Sequence, residues 1–135
     1  MNKKVIIVIA EDDAGHANLI KRNIRRAGFQ NEIKHFADGE QTLDYFFSDT
    51  SDIHCQDHLL LLDIRMPKID GINVLSKLRQ DLQQIKIPVI IITTTDDPHE
   101  IEKCYKLGCN SYMVKPIEYD DFVEAFNQTG LFNLK

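Results

Sequence analysis

The chain has 135 residues, a length that suits one domain. Hydrophobic residues make up 43% and charged residues 27%, the balance of a globular chain that buries a core without disulfide or metal staples. With 21 acidic against 16 basic residues and a net charge of -5, a nucleic-acid-binding surface is disfavoured as the main function, because phosphate backbones select Lys and Arg. No apolar run is long enough to span a bilayer, and the six apolar residues that follow Lys4 are too few for a secretory signal. Cys55, Cys104 and Cys109 form no C-x-x-C pair; an odd count with no export signal reads as reduced thiols in a cytoplasmic protein.

Val5–Ala10 is β-branched and almost continuously apolar, the pattern of a strand buried on both faces. Ala17, Ile20, Ile24 and Ala27 then recur at helical spacing between basic residues, and Gly28 ends that helix. Ile33–Phe36 reads as a short second strand, Asp38 and Gly39 as a turn, and Leu43, Phe46 and Phe47 as the stripe of a second helix. Residues 59–62 form the next buried strand, followed by a helix carrying Leu75, Leu78 and Leu82. Residues 89–92 form a fourth strand. Asp97, Pro98 and Glu100 have the order of an N-cap, a first-turn proline and a capping-box acid, opening a helix that runs through Ile101 and Tyr105 to Leu107 and Gly108. Ser111–Val114 is the fifth strand, and Phe122, Val123 and Phe126 mark a last helix with Glu118, Asp120 and Asp121 at its positive end. Five alternating strand–helix units predict an α/β, flavodoxin-like (βα)5 doubly wound parallel sheet of strand order 2-1-3-4-5.

In such a fold the functional crevice lies outside the carboxyl ends of the strands, at the switch point between the first and third. The residues expected there are Glu11, Asp12 and Asp13 after strand one, Asp63 after strand three, Thr93, Thr94 and Thr95 after strand four, and Lys115 with Pro116 after strand five. Crowded carboxylates repel one another unless a cation intervenes. Hard oxygen ligands suit Mg2+, which binds through one or two carboxylates plus phosphate oxygens. A metal beside Asp63, with the Lys115 ammonium and the Thr93 hydroxyl, would neutralise charge on a phosphoryl group, and Asp is an established nucleophile for phosphoryl transfer. Each residue also has a plainer reading: Asp13 as a helix cap, the threonines as turn residues, Lys115 as surface. Their joint placement at four strand ends is what favours the chemical one.

The same residues carry a family resemblance. Glu11 and Asp12 after the first strand, a run of leucines into Asp63, Met66 and Pro67 with Asp70 and Gly71, Thr93 after Val-Ile-Ile-Ile, Tyr112, and Lys115 with Pro116 together resemble the receiver domain of two-component response regulators. The resemblance implies that Asp63 accepts a phosphoryl group from a sensor histidine kinase or phosphotransfer protein. It implies that Glu11, Asp12, Asp63 and the backbone carbonyl of Arg65 hold Mg2+, or another divalent ion such as Mn2+. Thr93 and Lys115 would bind phosphoryl oxygens; Thr93 and Tyr112 would form the switch, the aromatic ring turning inward. Lys115-Pro116 is commonly cis in the family. Stretches 38–46, 107–112 and 130–134 resemble more narrowly the stand-alone receivers that serve bacterial phytochromes and related hybrid kinases. The implied protein promotes its own phosphorylation and dephosphorylation and is not an enzyme with a separate turnover substrate.

Arg65, Thr94 and Thr95 depart from the commonest pattern, and by physical argument the side chains at 65 and 95 govern how water reaches an acylphosphate, and so its lifetime. A haloacid-dehalogenase-type phosphatase is disfavoured because Arg65 stands where its general-acid Asp belongs, and a dinucleotide-binding protein because no G-x-G-x-x-G follows the first strand. His54, Cys55, Asp57 and His58 match no zinc spacing and read as a polar loop. A receiver used only as a phosphorylation-independent binding module remains the other reading. The whole of 1–135 is expected to be one receiver domain with a core of about residues 4–128, no output domain, no direct nucleic-acid contact and no membrane insertion. The expected output face is the fourth helix, fifth strand and fifth helix. The tail at 129–135, with Leu131, Phe132 and Leu134, either extends that face into a homodimer surface or covers the core.

Overall fold

The computed structural model describes residues 5–48, 56–81 and 86–132. Ten elements alternate along the chain: β1 (Val5–Ala10), α1 (Ala14–Arg26), β2 (Ile33–Phe36), α2 (Gly39–Phe46), β3 (Asp57–Leu62), α3 (Gly71–Gln80), β4 (Val89–Thr93), α4 (Pro98–Lys106), β5 (Ser111–Val114) and α5 (Tyr119–Gln128). All strand pairings are parallel, in the order β2-β1-β3-β4-β5, as the alternation predicts.

Side chains of a strand point alternately to its two faces, so the buried strands feed two cores. Ile6, Val8, Ala10, Leu60, Leu62 and Ile91 pack with Phe46, Val74, Leu75, Leu78 and Cys104 of α2, α3 and α4. Val5, Ile7, Ile9, Leu59, Leu61 and Ile92 pack with Ala17, Ile20, Ile24, Phe122 and Phe126 of α1 and α5. Phe132 belongs to this second core: its ring centroid lies 4.6 Å from Phe29 and 5.2 Å from Phe126. Phe132 is thus buried against the α1 and α5 side of the sheet; Leu134 lies outside the described residues.

Several local expectations change. Asp38 is not simply a turn residue: its carboxylate accepts from the Gln41 N–H at 2.7 Å and caps α2. Phe47 falls at the C-cap of α2 and is exposed, off the packed stripe. Asp97 caps α4, but Glu100 makes no reciprocal capping-box bond and instead faces Arg65, 3.4 Å away. Asp57 and His58 are strand residues of β3, and His58 is buried with Nε2 2.8 Å from the Tyr45 hydroxyl. The strand extends past Leu59 because β1 pairs with it back to Val5↔Asp57. His54, Cys55 and Leu82 lie outside the described residues. Cys104 and Cys109 are free and buried, and burial pushes their thiols up to about 11 and about 12, so both stay protonated packing groups at neutral pH.

Two contacts fix the helices that flank the strand ends. Arg79 of α3 donates to the carbonyls of Leu107 and Gly108 at 3.0 and 2.9 Å, tying its guanidinium to the end of α4. At the start of α3, Gly71 donates to the Ile64 carbonyl at 2.8 Å, and a Cβ there would lie 2.2 Å from the Asp63 carbonyl oxygen. Only glycine permits that approach. Gly71→Ala is expected to cost at least about 2 kcal/mol by forcing the β3–α3 backbone apart. Urea denaturation reads this as a lowered midpoint; a midpoint equal to the parent's would show that the backbone yields freely.

Candidate functional site

Register delivers the site. Ala10 pairs with Leu62, and the ladder continues one residue further, the Asp63 N–H donating to the Ala10 carbonyl at 3.0 Å. On the other flank Thr93 pairs with Val114, and the Lys115 N–H donates to the Thr93 carbonyl at 2.8 Å. Glu11, Asp63 and Lys115 therefore leave β1, β3 and β5 at the same edge, with Thr93 of β4 between the last two. The Glu11 N–H donates to the Phe36 carbonyl at 3.0 Å, and the Glu11 carbonyl lies 2.7 Å from His35 Nε2, so β2 holds the loop from the far side.

The Lys115 ammonium lies between the acids, 2.5 Å from Glu11 Oε1 and 3.1 Å from Asp63 Oδ2. Glu11 and Asp63 are buried and Asp12 is exposed, and carboxylate oxygens of the three lie within 4.8 Å of one another. Three hard oxygen donors, one open to solvent, are the donor chemistry for a hydrated divalent ion. Asp13 is not part of this set: it is fully exposed and its carboxylate accepts from the His16 N–H at 2.9 Å, capping α1. That hydrogen bond holds its carboxyl below the usual range.

The β3–α3 and β4–α4 loops meet over the acids. The Arg65 N–H donates to Asp63 Oδ1 at 3.1 Å, while its exposed guanidinium donates to Thr95 Oγ1 at 3.1 Å and to Glu100 Oε2 at 3.4 Å. Thr93 is buried, its hydroxyl 3.5 Å from the Thr95 N–H. The Tyr112 ring is half-buried and packs on the core under α4, with its phenol donating to the Thr95 carbonyl at 2.8 Å. Thr95 thus touches Arg65, Thr93 and Tyr112. Lys115-Pro116 is cis.

The family model for the response regulator receiver domain matches residues 7–127. The chain belongs to the response regulator receiver family. It is 35% identical over 116 residues to a probable methanogenesis regulatory protein, FilR2, of Methanothrix harundinacea, covering 86% of this chain and 75% of that one. Two further curated relatives are longer: the chain spans 43% and 45% of their lengths. A solved receiver domain from Rhodospirillum rubrum superposes with a TM-score of 0.77 at 45% identity, covering 94% of this chain and 92% of that one. The bacteriophytochrome response regulator RtBRR superposes at 0.79 with 32% identity, covering 100% and 82%. Receiver domains act in phosphorelay signalling with a histidine kinase or phosphotransfer partner, are signalling proteins rather than ordinary enzymes, and typically bind Mg2+ through an acidic cluster. Among the described residues of this receiver, no helix is long and apolar enough to cross a membrane.

The sequence places Glu11, Asp12, Asp63, Thr93, Thr95 and Lys115 at strand ends, and in the structure these stand at this edge with Arg65; Tyr112 lies within β5, opposite Ile91, and reaches the edge loop through its phenol. Three contributors escape sequence reasoning. His35 and Glu100 look like ordinary strand and helix residues. His16, whose Nδ1 lies 2.9 Å from Lys115 Nζ, carries one signal, its place in the first turn of α1 directly after the acids.

Burial raises the Glu11 carboxyl from 4.5 to about 7; the Lys115 hydrogen bond opposes this and the Asp63 charge adds to it. A raised carboxyl favours the metal-free fold below about 4.5 and loses that contribution as pH rises through about 7. A divalent ion held by this cluster would need the ionised form, so its binding would displace the Glu11 proton. Mg2+ affinity, measured by calorimetric titration, is therefore expected to rise about fivefold between pH 6 and 7 and level off above about pH 8, with Glu11→Gln weakening binding and flattening the dependence. A pH-independent parent affinity over that range would contradict this account.

Proposed function

We propose that this receiver accepts a phosphoryl group on Asp63, with Mg2+, or another divalent ion such as Mn2+, held by Glu11, Asp12, Asp63 and the backbone carbonyl of Arg65. The observation that carries the reading is the Lys115 ammonium seated between Glu11 and Asp63 at the switch point of the sheet. In the transfer, an Asp63 carboxylate oxygen attacks phosphorus, the phosphorus–nitrogen bond of the donor's phosphohistidine breaks, and the imidazole leaves. A bound divalent ion would supply neutralisation of charge on the acid and phosphoryl oxygens. Lys115 exchanges a carboxylate oxygen for a phosphoryl oxygen, and Thr93 offers its hydroxyl to another. The chain thus promotes its own phosphorylation and dephosphorylation without a separate turnover substrate.

The switch runs through Thr95. Its N–H faces the Thr93 hydroxyl and its carbonyl accepts from Tyr112, so a Thr93 shift toward the phosphoryl group moves the Thr95 peptide and the ring with it. The face of α4, β5 and α5 carries the signal to a protein partner. It is also the candidate homodimer face, with residues 129–135 flanking a receiver core of about residues 4–128. The likeness to RtBRR supports a phytochrome-like or hybrid sensor kinase as the phosphoryl source, acting in the cytoplasm.

Intact mass after treatment with a small phosphodonor and Mg2+ is expected to rise by one phosphoryl group in the parent and not in Asp63→Asn. No gain with any donor would leave the alternative, a receiver that binds partners without phosphorylation. Once phosphate is in place, Arg65 and Thr95 stand over the path of attacking water. The half-life of the acylphosphate is expected to change at least about threefold in Arg65→Ala and Thr95→Ala, the scale of one lost hydrogen bond. Parent-like half-lives in both would exclude the role.

A further inference from the structure

A lysine ammonium has three N–H donors and no acceptor. Lys115 directs all three to named partners: Glu11 Oε1 at 2.5 Å, Asp63 Oδ2 at 3.1 Å and His16 Nδ1 at 2.9 Å. The third contact fixes the histidine's role, because only the lone pair of a ring nitrogen can receive a lysine proton; the remaining hydrogen is then on Nε2. His16 is held there from below. It lies in the first turn of α1, its own N–H donating at 2.9 Å to the Asp13 cap. Asp13, whose exposed carboxylate stands outside the acidic cluster although its N–H donates to Glu11 Oε2 at 3.2 Å, thus anchors the imidazole partner of Lys115.

The three partners differ in what they do when the site is loaded. Glu11 and Asp63 are members of the acidic cluster, so an incoming cation draws both carboxylates toward itself, and a phosphoryl group on Asp63 takes one of its oxygens. A neutral imidazole has no such competing demand. We propose that His16 is a positioning residue that keeps the Lys115 ammonium over the site, through its Nδ1 lone pair, when metal and phosphoryl group engage the carboxylates. The proposal rests on the reading of Asp63 as the acceptor. Without His16, the four-carbon stem of Lys115 leaves the ammonium free to swing toward water, and entropy then opposes each productive encounter.

The test uses the whole chain with His16→Leu, which removes the acceptor, and His16→Asn, whose side-chain oxygen stands near the place of Nδ1. Phosphorylation of Asp63 is timed by intact mass with a small phosphodonor in saturating Mg2+. In parallel, acylation of Lys115 by an amine-reactive anhydride is followed on the unphosphorylated, Mg2+-loaded chain, with the other lysines as internal standards. His16→Leu is expected to slow phosphorylation by about two- to tenfold and to speed Lys115 acylation by a similar factor, the scale of one hydrogen bond. His16→Asn should stay within about twofold of the parent in both, since it restores that bond. Mg2+ affinity should be unchanged in both variants, because His16 is outside the ligand set. Parent-like Lys115 acylation in His16→Leu would overturn the proposal, as would His16→Asn as impaired as His16→Leu. If the parent itself takes up no phosphoryl group, the reading of Asp63 fails, and the acylation comparison still decides the role of His16.

Discussion

Two buried carboxylates on adjacent strands repel each other, and everything at the crevice edge answers that repulsion. The parallel register forces it: Ala10 opposite Leu62 sets Glu11 beside Asp63 whatever their charges. Lys115 relieves it in the metal-free chain, which is why an amine is found nine-tenths buried. Burial still pushes the Glu11 carboxyl up to about 7 against the opposing Lys115 hydrogen bond. A site that is short of positive charge, rigidly framed and open to water at Asp12 has the donor chemistry that could hold a divalent cation.

The framing comes from hydrogen bonds that outrun the strands. Asp63, Glu11 and Lys115 each bond through their backbone to the neighbouring strand one residue beyond the regular ladder, so the reactive groups inherit the rigidity of the sheet. The loops above them are freer in composition. There the chain uses Arg65, Thr95 and Glu100 to close the gap between β3 and α4, a set of contacts made by side chains alone.

The fold was legible because its signal is periodic. Val5–Ala10 and residues 59–62 can only be strands covered on both faces, and the stripe of Ala17, Ile20 and Ile24 can only lie against them. The acids, Thr93 and Lys115 were legible because strand ends are readable positions. What stayed hidden depends on side-chain direction. Glu100 has the spacing of a capping-box acid, yet a guanidinium from another loop is nearby and a charged partner wins over a backbone N–H. His58 sits in a polar stretch but is drawn inward by pairing with β1 and by the Tyr45 hydroxyl. His16 has no periodic signature at all; its meaning appears only when a residue 99 positions away reaches it.

Arg79 gives the α4 helix a fixed end. By gripping the carbonyls of Leu107 and Gly108, it pins the carboxyl end of α4 to α3, whereas the amino end is held through the exposed Arg65–Glu100 contact. A rod fastened at one end and lightly tethered at the other does not slide when pushed; it tilts. A displacement of the Thr95 loop would therefore turn α4 about a pivot roughly two turns away, and the amino end, nearest the loop, would move furthest.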